Sequence, residues 1–215
     1  MSLDVPPTAR GGAIGAPWRL ALRTSGAIDA LSRAVGALAA WATLPMIGLA
    51  VAAAITAITD RHLGTSWSSA ALVEGQWYLF AFVFLLGAPV TLLRGAHVRV
   101  DALFGRFGVR GRHWIDLVGG LLFVLPFCVF GFVESWDYVA RSWSISEGSP
   151  DPGGLPRYPV KTLILVALGL LFLQGVAQCI KHAAALVGVP AALMDLPPSH
   201  VDRGSADRTD EELAR

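Results

Sequence analysis

Residues 94–114 read RGAHVRVDALFGRFGVRGRHW, a basic stretch set between two long apolar runs. It cannot itself cross a bilayer, because its arginines and Asp101 would have to leave water. Read as a helix, it places Val100, Leu103, Phe104 and Phe107 at i, i+3, i+4 and i+7, while Arg99, Arg106 and Arg110 gather on another face. That is the pattern of a helix lying in the membrane surface. Its apolar side dips into the acyl boundary and its guanidinium groups meet phospholipid headgroups, at roughly 1 kcal/mol per basic residue. We expect an in-plane helix over about residues 97–110, with Arg99, Arg106 and Arg110 as headgroup contacts; the alternative is a solvated loop that carries arginines.

The chain on either side fits a membrane setting. Of its 215 residues 54% are hydrophobic and 15% charged, and the mean hydropathy is +0.56, values that argue against a soluble fold. Uncharged runs place four transmembrane helices at about residues 34–59, 75–93, 114–138 and 162–181, against the ~20 residues needed to cross ~30 Å of hydrocarbon. The first is too long for the core of a signal peptide and lacks a small-residue cleavage site. Pro45 should bend it, with neighbouring helices absorbing the freed carbonyl. Pro126 and the Gly119-Gly120 pair offer a bend and a close helix approach in the third. Aromatic residues Trp77, Tyr78, Trp114, Trp136 and Tyr138 mark headgroup levels. The fold class is therefore all-α: four membrane spans plus an in-plane helix between the second and third.

Thirteen of the 17 Lys and Arg residues fall before the first span, in the 94–114 stretch or at and after the end of the fourth span, where Lys181 is counted, against four in the other two loops. Positive residues near span ends stay in the cytoplasm, so both termini and the basic stretch are expected inside. Residues 1–24 read as a flexible cytoplasmic lead, 25–187 as the transmembrane domain and 188–215 as a disordered tail, polar and poor in apolar residues. The external stretch 141–161, RSWSISEGSPDPGGLPRYPVK, is rich in proline and glycine and reads as a fixed loop without regular elements. Its Gly-Gly pair is a turn device, since the prolines break the strand-then-helix context of a phosphate loop.

Little in the chain carries chemistry. Cys128 and Cys179 sit in apolar runs and read as packing residues. The histidines His62, His97, His113, His182 and His200 lie outside the middles of the spans, which gives a membrane-buried haem poor support. No nucleophile stands beside a base, and we expect no catalytic residue, metal site, cofactor or nucleic-acid partner. Glu74 reads as an interfacial cap on the second span, with an ion or proton site as the alternative. Gln174 and Gln178 lie one turn apart and should hydrogen-bond to a neighbouring helix, of this chain or of a partner subunit. Asp101 can pair with His97 four residues earlier, and Asp116 with Arg112.

The order Arg94, His97, Arg99, Val100 and Asp101 in RGAHVRVD, then Gly154, Leu155 and Pro156 before the fourth span, then Lys161 and Gln174, resembles the small membrane (DctQ-like) subunit of tripartite ATP-independent periplasmic (TRAP) transporters. The resemblance covers about residues 25–187. It implies a multi-pass protein of the bacterial inner membrane with two partners: a large membrane subunit that moves substrate under cation coupling, and a periplasmic binding protein that delivers an organic acid. The chain itself would be a non-catalytic scaffold. Two readings from other classes compete, a membrane anchor subunit of a redox enzyme, which would need a haem or quinone site, and a stand-alone four-helix exporter, which would need an acid inside a span, whereas this chain is expected to hold no internal charge.

Overall fold

A computed structural model of the chain describes residues 16–64, 70–95 and 108–189. Their regular elements are all helical: α1 (Ala16–Leu63), α2 (Ala70–Leu93), α3 (Val109–Gly119), a π-helical segment (Gly120–Val124), α4 (Leu125–Ser144) and α5 (Tyr158–Val187). The third membrane-length unit is α3, the π segment and α4 end to end. Four units are long and apolar enough to cross a membrane, Trp18–Leu63, Ala70–Leu93, Arg110–Ser144 and Tyr158–Val187.

The helices overrun the expected spans because uncharged length marks the hydrocarbon crossing, whereas helix continues as long as backbone bonds are made. α1 begins at Ala16, inside the stretch expected to be a lead, and passes through Pro45 without ending. In the stretch expected to hold no regular element, α4 runs on to Ser144 and α5 opens at Tyr158, leaving only residues 145–157 irregular. Pro159, in the first turn of α5, starts that helix at no cost in hydrogen bonds. At the other end Gly188 takes φ 92°, and the Val189 N–H reaches back to the Ala184 carbonyl at 3.0 Å. The in-plane helix expected over about 97–110 lies outside the described residues except for its last positions, where Val109 and Arg110 already belong to α3. The expected tail, 188–215, also lies outside them beyond Val189.

The π segment has a local cause. Pro126 lacks an N–H, and in a regular α-helix its ring collides with the carbonyl of Leu122. Widening the turn just before it, so that the Leu125 N–H bonds to the Gly120 carbonyl, absorbs that conflict. Small residues then let α5 close in. A Cβ on Gly120 would stand 3.0 Å from Cys179 Sγ, and one on Gly175 would stand 3.0 Å from Leu125 Cδ2. A Cβ on Gly36 would fall 2.7 Å from Val90 Cγ1, so α1 and α2 are equally close.

α5 is the centre of the bundle and packs on α1, α2, α3 and α4. A small apolar core joins Ala39, Leu86 and Ala167, with Val35, Phe82, Leu85 and Leu170 around it. Large apolar side chains point outward instead: Trp41 is 72% exposed, Phe123 71% and Phe84 69%. In water such a surface would aggregate; in a bilayer it is the lipid- or partner-facing side.

Candidate functional site

The interior polar groups fall into two clusters, one at each end of the bundle. The first lies where the chain ends leave the helices. Asp29 of α1 and Lys181 of α5 are each 1% exposed, and Lys181 Nζ stands 3.0 and 2.9 Å from the two Asp29 carboxylate oxygens. Gln174 Nε2 donates to Asp29 Oδ1 at 3.0 Å, and Ser32 Oγ donates to Gln174 Oε1 at 2.6 Å. Lys181, Asp29, Gln174 and Ser32 thus form one chain of hydrogen bonds between α1 and α5, in which the buried carboxylate is fully engaged. One turn on, Gln178 Nε2 donates to the Leu92 and Leu93 carbonyls at 3.4 and 3.3 Å and so closes the C-terminus of α2. α3 joins through His113, whose Nδ1 lies 3.1 Å from His182 Nδ1, and through Asp116, whose Oδ2 lies 3.9 Å from His182 Nε2.

The second cluster fastens the 145–157 loop. Glu74 is only 3% exposed; it does not cap its own helix but accepts hydrogen bonds from Ser149 Oγ and, at 2.5 Å, from the Leu155 N–H, with Arg157 Nη2 3.8 Å away. Tyr78 Oη donates to the Leu155 carbonyl at 3.2 Å. Gly154 is obligatory here, because a Cβ would run into Ser149 and come within 2.6 Å of Glu74 Oε2. Across the loop, Lys161 Nζ pairs with Glu147 and sits 4.1 Å from the centroid of the Tyr138 ring, while Ser142 Oγ donates to Glu147 at 2.7 Å. The hydrogen bond from Lys161, followed by that from Ser142, holds the Glu147 carboxyl below the usual carboxylate range. Trp143 Nε1 donates to Thr162 Oγ1 at 2.8 Å and closes the junction of α4 with α5.

The residues singled out from sequence do not converge on one site. Gly154, Leu155, Pro156 and Lys161 belong to the loop end and Gln174 to the opposite end. Arg94 and Arg110 are exposed, and His97, Arg99, Asp101 and Arg106 lie outside the described residues. Three readings are corrected. Glu74 fastens the loop where a helix cap was expected, because its place one turn into α2 brings its carboxylate under the 145–157 loop. Lys181, counted among the solvated positive residues after the fourth span, is buried in an ion pair. The bundle interior, expected to hold no charge, contains both members of that pair. Sequence reading missed Asp29 and Ser32. The available signal was a pair of matching polar stripes, Ser25, Asp29 and Ser32 on one helix and Gln174, Gln178 and Lys181 on another, each at i, i+4 and i+7.

Chemically, these arrangements hold helices and a loop. No group of three or more His, Cys, Asp or Glu side chains is placed to bind a metal among the described residues. Four membrane-length helices, polar groups turned to one another and apolar surface turned outward define a multi-pass membrane protein. A family model for the DctQ component of tripartite ATP-independent periplasmic transporters matches residues 50–185, more than half of the chain, and the protein belongs to that family: it is a small permease component of a TRAP transporter. No curated protein and no solved structure matches it. The family match includes Glu74, Gly154, Lys161, Gln174 and Lys181, while Asp29 and Ser32 precede it.

Proposed function

We propose that this chain is the stationary, non-catalytic part of the transporter, bracing the large membrane subunit during cation-driven uptake of an organic acid that a periplasmic binding protein delivers. The observation that carries this reading is the clasping of the bundle at both ends. The Asp29–Lys181 chain joins α1 to α5, and the Glu74 and Glu147 contacts pin the loop. A subunit whose interior charges are engaged with one another suits a frame better than a moving carrier, whose ion-coupling groups must exchange partners.

The charge distribution orients the frame, with the two chain ends and the 94–114 stretch in the cytoplasm and the 145–157 loop outside, in the inner membrane. In this reading residues 97–110 lie in the membrane surface, with Arg99, Arg106 and Arg110 at phospholipid headgroups. Such a helix resists displacement along the membrane normal because its polar face cannot follow into hydrocarbon. Asp101 holds His97 or a cation of the large subunit, while Arg99, two residues away, faces lipid phosphate. Co-purification tests the assembly: the chain is expected to retain a tagged large subunit in detergent, and Asp101→Ala to retain markedly less. Wild-type retention by Asp101→Ala removes the role assigned to that carboxylate, and no retention by the unaltered chain removes the scaffold reading.

A further inference from the structure

Glu134 is a carboxylate that the bundle does not use. It stands on α4 in an outward stripe with Phe127, Phe130, Asp137 and Arg141, spaced by 3, 4, 3 and 4 residues and all exposed. That spacing keeps them on one side of an α-helix. The buried residues of α4 are Cys128, Val139 and Ser142, on another side. Phe127 is 62% exposed and Phe130 67%. No hydrogen bond or ion pair reaches the side chain of Glu134 or Asp137 from the described residues.

Depth makes that exposure costly for Glu134. Lys161 directly precedes the uncharged run 162–180 of α5, and its Nζ lies 4.1 Å from the centroid of the Tyr138 ring. Tyr138 therefore marks a headgroup level on α4, as its aromatic type suits. Glu134 is one turn, about 6 Å, nearer the bilayer middle. Helical Cα–Cβ bonds lean towards the N-terminus, which in α4 is the way inward, so the carboxylate starts out aimed away from water. The other three spans pose no such problem on their outward faces, since 34–59, 75–93 and 162–180 carry no charge. An acid at this depth belongs beside a cation or on a polar path, and rings rather than polar groups flank Glu134 on its inward side.

Three occupants can cover such a stripe. Phospholipid meets the acyl boundary with its phosphate, and any amine lies beyond that phosphate, so lipid offers the carboxylate repulsion first. A second copy in the same membrane, paired about a two-fold axis on this stripe, sets Glu134 against Glu134. A membrane helix of a different subunit can carry Lys or Arg at the right depth, and a straight stripe with exposed rings suits packing of helix on helix. We propose that the 127–141 stripe of α4 docks a transmembrane helix of the large transporter subunit, with Glu134 paired to a basic side chain of that helix and Phe127 and Phe130 packed against its apolar part. Arg141, opposite in charge and one turn beyond Asp137, fixes the register. The proposal rests on the reading of this chain as one component of an assembled transporter.

Co-purification of a tagged large subunit with the Glu134→Leu variant separates the occupants. The change makes the stripe more apolar, which a lipid-facing surface tolerates, but it strands the partner's cation in a desolvated contact. Retention of the large subunit is expected to fall by about tenfold or more. Resistance of the isolated chain to SDS is expected to stay as in the unaltered chain, because no bond within the bundle is lost. In membranes holding all the components, a photo-crosslinking residue in place of Phe130 is expected to label the large subunit. Wild-type retention by Glu134→Leu overturns the docking, and so does a drop in the SDS resistance of the isolated chain, since Glu134 then serves the bundle. Labelling from position 130 confined to lipid or to a second copy overturns it too. The same probe in place of Trp41 on α1 and Phe84 on α2 tells this failure from that of the assembly. Labelling of the large subunit from those two positions alone moves the interface and leaves the component reading standing, whereas labelling from none of the three removes both.

Discussion

Asp29→Ala is expected to destabilise the bundle by about 3–5 kcal/mol, because it leaves the Lys181 ammonium buried with its carboxylate gone. Lys181 is 1% exposed and both of its hydrogen bonds to Asp29 end on the deleted carboxylate. Gln174 loses its acceptor as well, although Ser32 still holds its carbonyl oxygen. Resistance of the detergent-solubilised chain to unfolding by heat or by SDS reads the loss. The double change Asp29→Leu with Lys181→Met removes both charges and is expected to recover most of it, since a buried ion pair and an apolar pair of similar volume are often comparable in stability. If Asp29→Ala unfolds together with the unaltered chain, α1 is not clasped to α5 in the way described.

Gly154→Ala is the second large effect, and it acts at the other end. The added methyl would overlap Ser149 and lie 2.6 Å from Glu74 Oε2, so loop and helix must separate. Overpacking of this kind typically costs about 1–3 kcal/mol. Here it also breaks the Ser149 and Leu155 hydrogen bonds that satisfy a carboxylate only 3% exposed. The expected result is a 145–157 loop that a protease cuts readily in the folded protein, while the Asp29–Lys181 end keeps its resistance to unfolding. A loop as protected as in the unaltered chain would show that Glu74 does not hold it through Gly154.

The sequence made the spans legible and left the clasps hidden, for a physical reason. Uncharged length is a local property, so four crossings and a Pro/Gly-rich connection between the third and fourth could be read directly. GLP before α5 could be recognised as a motif, yet its use depends on Glu74, 81 positions from Leu155. Asp29 was opaque because an acid between Arg23 and Arg33, just ahead of an apolar run, looks solvated. Its meaning comes from Lys181, 152 positions away, which looks equally solvated at the end of its own run. Each charge taken alone belongs outside the hydrocarbon, and only the pair belongs inside the bundle. The π segment was legible in part: Pro126 and the glycine pair announced a disturbance of the helix, while nothing in the residue types told a widened turn from a kink.

The most direct test of the scaffold role is uptake of a radiolabelled organic acid into proteoliposomes under a cation gradient, with the large subunit, the binding protein and this chain present together or omitted in turn. Uptake is expected only when all three are present, and this chain alone is expected to transport nothing. Full uptake without this chain, or uptake by this chain alone, contradicts its assignment as the bracing subunit.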